Sequence, residues 1–255
     1  RLVLVSQGRS RSHLCQGLKM KILLVHNFYR EPGGEEIYLD SLKNLLGKNG
    51  QTLRLFSKDN KVLLKDAEKL KTSFAMFWNP KLYHDFSSVL RSFKPEVVHF
   101  NNIFPLITPT AYWACKKLRI PIVQTVHNFR YMFPKSLLFR RGRLCPYCLD
   151  KRFIYPAFLH PCYNQSLAYT FFSSLSHSFH YLLGSFDLVD KFIFPSFFAR
   201  NYYIQNSKIA KQNSEVINNF AEPGKKAVSK SSYFLYVGRI SQEKGINELL
   251  EVFSR

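Results

Sequence analysis

Residues 20–46 read MKILLVHNFYREPGGEEIYLDSLKNLL. The run from Lys21 to His26 is apolar with no polar alternation, as in a strand buried on both faces. Ile37, Leu39, Leu42, Leu45 and Leu46 fall near a 3.6-residue repeat, which predicts an amphipathic helix. Between them stands a two-glycine turn, Gly33 and Gly34. A buried strand that passes through a tight turn into a helix is the first half of a βαβ unit.

The same alternation continues outward from this stretch. Apolar runs short enough for buried strands recur at 53–56, 97–100, 122–126, 192–194 and 216–217, with shorter helical patterns at 108–118 and 197–205. The predicted fold class is α/β, a Rossmann-like doubly wound parallel sheet. A longer helix is expected where Phe171, Phe172, Leu175, Phe179, Leu182, Leu183 and Phe186 recur, with Ser173, Ser174, His177 and His180 on an opposite, solvated face.

Composition narrows the class further. The chain has 255 residues, 46% of them hydrophobic, and no apolar run reaches the roughly 18 residues of a membrane span. Residues 1–19 carry four positive charges, no acid and no signal-peptide core, so they read as translation upstream of Met20 and outside the fold. Five cysteines without an export signal point to the reducing cytoplasm. The net charge of +20 calls for an anionic partner. Nucleic acid is one candidate, supported by 24 Phe and 14 Tyr, but the aromatics sit on strands and helix faces and no nucleic-acid-binding signature appears.

The domain reading is a sheet domain over 20–221, with a Cys-containing insertion at about 130–165. A polar linker follows at 222–231, and 232–255 form the first strand (233–237) and helix (246–253) of a second Rossmann-like domain.

Several positions could carry chemistry. Gly33 and Gly34 precede a helix N-terminus and leave room for backbone amides to approach a phosphate or sugar, or they are simply a tight turn. The turn is not a GxGxxG fingerprint, which argues against NAD. His127 ends the strand PIVQTV at the carboxyl edge of the sheet, where it can bond a sugar hydroxyl or cap the strand. In FLYVGRISQEKGINELLEVF (234–253), Arg239 and Lys244 stand near a helix N-terminus, an arrangement suited to a diphosphate.

Taken together and in order, PGGEE, VHFNN, TVHNF, FPS, VINNF and YVGRISQEKG resemble the family 4 glycosyltransferases. The resemblance implies a GT-B fold of two Rossmann-like domains facing a cleft, a nucleotide-sugar donor, and transfer with retention of anomeric configuration. It implies that Gly33 and Gly34 face donor phosphate and acceptor, that His127 lies near the donor sugar, and that Arg239 and Lys244 hold the donor diphosphate without a metal. No cofactor is implied, because the nucleotide sugar is a substrate. The family's acidic pair deeper in the second domain has no counterpart in these 255 residues, so the sequence reads as truncated, with impaired transfer or a noncatalytic remnant as the consequence.

Cys145, Cys148 and Cys162 offer three thiols with zinc-like spacing. A subgroup of these transferases carries a further Cys where this chain has Phe133, and only His160 is at hand as a fourth ligand. Reduced, buried thiols without metal are the expectation. The expected partners are a nucleotide-sugar donor, a surface glycan or lipid-linked acceptor, and an anionic membrane surface reached by the cations and aromatics of 129–153. Nucleic acid is not among them. The expected location is cytoplasmic, at the inner face of the membrane.

Overall fold

In the computed structural model, which describes residues 19–64, 72–133, 136–140, 142–149, 151, 153–163, 166–207, 213–221, 232–238, 240–241 and 244–254, β1 (Lys21–Phe28) lies inside a six-stranded sheet. The other strands are β2 (Thr52–Asp59), β3 (Val97–Phe100), β4 (Ile122–Thr125), β7 (Lys191–Phe194) and β8 (Ser214–Val216), in the order β2-β1-β3-β4-β7-β8. Every pairing is parallel. Of the segment 1–19 read as upstream of the fold, residues 1–18 lie outside the described residues, as does the expected linker at 222–231.

The alternation of β1 divides the core between the two faces of the sheet. Ile22 and Leu24 pack with Tyr38, Leu39 and Leu42 of α1 (Gly34–Lys48). Leu23 and Val25 pack with Leu82, Phe86 and Leu90 of α2 (Pro80–Phe93) and with Ala111, Tyr112 and Cys115 of α3 (Thr110–Lys117). The sheet is therefore doubly wound, and the chain reverses direction between β1 and β3. Open α/β sheets form their ligand crevice at such a reversal.

Helix α2 was not foreseen, although its signals are in the sequence. Asn79 caps it by accepting from Leu82 N, Pro80 opens it, and Leu82, Phe86 and Leu90 recur at four-residue steps on the buried side. The insertion forms its own small hairpin, β5 (Phe139–Arg140) with β6 (Arg143–Leu144), apart from the main sheet.

The long helix, α4 (Leu167–Leu182), forms where the periodicity predicts it but with its polarity inverted. Thr170, Ser174, Ser176, His177, Ser178 and His180 are buried, while Leu167, Phe171, Phe179 and Leu182 are exposed. The cause is the irregular backbone packed beneath it, whose polar groups need partners. Ser176 Oγ donates to Met76 O (2.7 Å), His180 Nε2 lies 3.0 Å from the same oxygen, Ser178 Oγ accepts from Ile154 N (3.0 Å), and Thr170 Oγ1 accepts from Tyr163 N (2.8 Å). The expectation of solvated His177 and His180 is thus corrected: both are buried, and burial lowers their pKa to about 3 and about 4.

After α5 (Phe197–Asn206) and β8, residues 233–237 form no strand, because no ladder partner stands beside them among the described residues. The helix expected next is present as α6 (Ile246–Phe253).

Candidate functional site

At the carboxyl ends of β1 and β3 the backbone is stitched across the reversal. Asn27 N donates to Asn102 O (2.7 Å) and Asn102 Nδ2 donates to Asn27 O (2.7 Å). His26 is fully buried, its Nδ1 accepting from Asn102 N (3.4 Å) and its Nε2 standing 3.7 Å from Glu36 Oε1. Burial lowers the His26 pKa against the opposing pull of Glu36 and Glu35.

The turn after β1 is held by Glu36, whose carboxylate accepts from Gly33 N (2.7 Å) and Tyr29 N (3.0 Å). The carboxylate half of a capping box thereby fixes the start of α1. Neither glycine is demanded by the fold. Gly33 has extended backbone, φ −140°, and a Cβ on Gly34 would meet no atom within 4 Å. The space over Gly34 is open to a ligand.

Glu35, one residue earlier on the helix, turns toward β4 instead. Its Oε1 accepts from Asn128 Nδ2 (2.8 Å) and from Tyr29 Oη (3.2 Å). Burial raises its pKa, with Asn128 and the Arg130 charge opposing. His127 stands at the end of β4 with its ring edge-on to Tyr38 of α1, centroids 4.6 Å apart. Its Nε2 is covered and has no hydrogen-bond partner, and burial lowers its pKa to about 4, so it is neutral at pH 7. A neutral imidazole both donates and accepts, which suits a hydroxyl.

These groups meet in one recess lined by Glu35, Asn101, Asn102, Thr125, His127, Asn128 and Arg130. Asn101 is 3% exposed, and neither its Oδ1 nor its Nδ2 has a partner. A buried amide left unpaired costs free energy on the order of 1–3 kcal/mol, so such groups mark places where a ligand completes the bonding. Arg130 was expected to face a membrane; instead it is tucked against the rings of Phe104 and Tyr163, its Nε covered and unpaired. Tyr131 and Phe133, expected beside it at a lipid surface, belong to the core.

The structure therefore gathers His127 with the first turn of α1. Glu35, Asn101, Asn128 and Arg130 were missed as site residues, although all four lie in or beside the strings PGGEE, VHFNN and TVHNF. Lys244 lies on the turn before α6 and is not among the residues lining the recess. Arg239 lies outside the described residues.

Cys145 and Cys148 are buried and Cys162 half-buried, none in a disulfide. Burial, reinforced by Cys145 and Cys162, pushes the Cys148 thiol up to about 12. Among the described residues no group of three or more His, Cys, Asp or Glu is arranged to hold a metal ion, and no helix is long and apolar enough to cross a membrane.

Among solved structures the chain is similar to Anabaena Alr3699/HepE in complex with UDP, at 15% identity over 78% of this chain and 44% of that one, with a TM-score of 0.34. The UDP-glucose complex of HepE gives 16%, the same coverage and 0.32. The chain thus spans less than half the length of HepE. No curated protein sequence matches it. The family model for Glycosyltransferase Family 4 matches residues 32–225, more than half of the sequence and the whole of the recess: the chain belongs to Glycosyltransferase Family 4.

Proposed function

We propose that this chain carries the acceptor-side domain of a retaining glycosyltransferase, which moves a sugar from a nucleotide-sugar donor to a surface glycan or a lipid-linked acceptor. The observation that carries this reading is the unpaired, buried Asn101 amide beside the unpaired His127 Nε2, in a recess at the reversal of a doubly wound sheet. Both groups are neutral hydrogen-bonding partners, the chemistry a sugar hydroxyl needs. Gly34, with open space above it, lets a donor phosphate or acceptor approach the N-terminal end of α1.

In the same reading, 222–231 link this domain to a nucleotide-sugar half that begins at 232, where Arg239 and Lys244 hold the donor diphosphate and stabilise the departing nucleotide. The protein works at the cytoplasmic face of an anionic membrane, where its charge of +20 favours attachment and a lipid-linked acceptor is presented.

Calorimetric titration of the chain with a panel of nucleotide sugars tests this. Binding that weakens at least tenfold in His127→Ala and Asn101→Ala, with the fold intact by circular dichroism, is the expected result. Absence of binding to every nucleotide sugar, or preference for nucleic acid in the same assay, overturns the reading.

A further inference from the structure

Helix α4 contains no Asp, Glu, Lys or Arg in its 16 residues, and its Thr170, Ser174, Ser176, His177, Ser178 and His180 are buried. What it turns outward is Leu167, Phe171, Phe179 and Leu182, the last 66% exposed, with Leu183 just beyond its end. Ring contacts extend this face in an unbroken series. Phe153 meets Phe158 at 5.4 Å, Phe158 meets Phe171 at 4.9 Å, Phe171 meets Phe172 at 5.6 Å, and Phe172 meets Phe74 at 5.5 Å. Leu159, 76% exposed, stands beside Phe158 on the turn Tyr155–Leu159, which packs on α4. A contiguous apolar patch of this kind marks an interaction surface.

Charge selects the partner. From 151 to 186 the sequence has two cations, Lys151 and Arg152, and no acid. Lys151 lies 5.3 Å from the ring of Tyr155 on that turn, so a cation borders the patch. With 37 Lys and Arg against 17 Asp and Glu, a second copy would approach with the same sign, whereas an anionic surface attracts.

We propose that α4 and the Tyr155–Leu159 turn form a seat on an anionic lipid bilayer, the helix lying in the plane of the interface. At about 1.5 Å per residue the helix offers a contact line of about 24 Å. Phe and Tyr rings settle at headgroup depth while the bordering cation meets lipid phosphate. An ordinary interfacial helix turns its polar face to water; here that face is occupied by the protein's own loops, so the most exposed side chains of the helix are apolar. The seat rests on the membrane reading given above, and moves it from the half-buried Arg130 and the buried Tyr131 and Phe133 to a face that is free to touch lipid.

The test is flotation of the full chain with vesicles of phosphatidylcholine, with and without phosphatidylglycerol. Recovery with anionic vesicles that falls as salt rises is expected. Phe171→Ser combined with Phe179→Ser and Leu182→Ser lowers the partition coefficient at least tenfold, whereas Leu235→Ser, equally exposed but remote in sequence, leaves it unchanged. As a measurement that does not depend on the triple variant folding, Leu182→Trp emission shifts to the blue on anionic vesicles. Nucleotide-sugar titration of the same proteins separates this idea from the transferase reading: loss of flotation with retained titration isolates the seat. Flotation of the triple variant like the unaltered chain, an unshifted Leu182→Trp spectrum, or a dimer that the triple variant makes monomeric overturns the proposal.

Discussion

Asn128 Nδ2 donates to Glu35 Oε1 over 2.8 Å, tying the residue after His127 to the first turn of α1 across 93 positions of sequence. The same Asn128 accepts from Arg130 N through Oδ1 (3.0 Å) and from Tyr203 Oη through its backbone oxygen (2.7 Å). One side chain thus fixes the relative placing of the two edges of the recess.

Asn128→Ala removes a charge-assisted bond and is expected to cost about 1–3 kcal/mol. Asn128→Asp costs more at pH 7, because it sets a carboxylate beside the half-buried Glu35. The excess shrinks toward pH 4 as the carboxyls take up protons. Urea midpoints at the two pH values measure both effects, and an Asp variant as stable as the unaltered chain would show that Glu35 and Asn128 do not meet.

Gly34→Ala separates a structural glycine from a functional one. A Cβ there meets nothing within 4 Å, and alanine is the better helix former by about 1 kcal/mol in a helix interior, less at a first turn. Unchanged or slightly raised stability is therefore expected, together with loss of nucleotide-sugar binding or transfer. A clear drop in melting temperature would return the glycine to a purely structural role.

Residues 232–254 expose much of their apolar surface, with Phe234 85% exposed, Leu250 63% and Phe253 56%. Phe234 and Phe253 touch each other, ring centroids 4.8 Å apart. Deleting 232–255 should reduce association in light scattering and improve solubility. If the deletion lowers the melting temperature of the remainder, the segment packs on the sheet domain and the boundary at 232 is misplaced.

How far the sequence discloses this molecule depends on which force sets each feature. The four inner strands announce themselves as apolar runs, because a buried parallel strand needs nothing more, whereas the edge strands β2 and β8 carry Arg54, Lys58 and Glu215 and show only a short apolar piece each. His127 at the end of β4 follows from that assignment. The polarity of α4 was read backward, since Phe171 and Phe179 satisfy the rule for a core stripe while Ser176, Ser178 and His180 bond to loop backbone at Met76 and Ile154. Such loop partners have no periodicity to reveal them. Glu35 and Asn101 were likewise hidden, because hydrogen-bonding needs across the β1–β3 reversal appear only once the strands are ordered.

Buried and half-buried imidazoles with lowered pKa values are expected to make the chain acid-labile. His99, His127 and His180 have pKa values lowered to about 4, His177 to about 3, and His26 is lowered as well, burial being the leading cause in each. In the unfolded chain these groups titrate near 6.5. Between pH 6.5 and about 4 the unfolded state therefore binds protons that the folded state refuses, so stability falls as pH falls through this window, by about 1.4 kcal/mol per pH unit for each fully protected imidazole. Above 6.5 both states are neutral and the effect vanishes. Glu35, whose pKa is raised, works in the opposite sense and offsets at most one histidine. Urea midpoints should drop steeply from pH 7 to 5. The slope should flatten in His177→Leu, because His177 packs on Phe186 with ring centroids 5.4 Å apart and a leucine keeps that contact without a proton site. A level profile across this range, or an undiminished slope in the variant, would mean that these imidazoles reach water in solution.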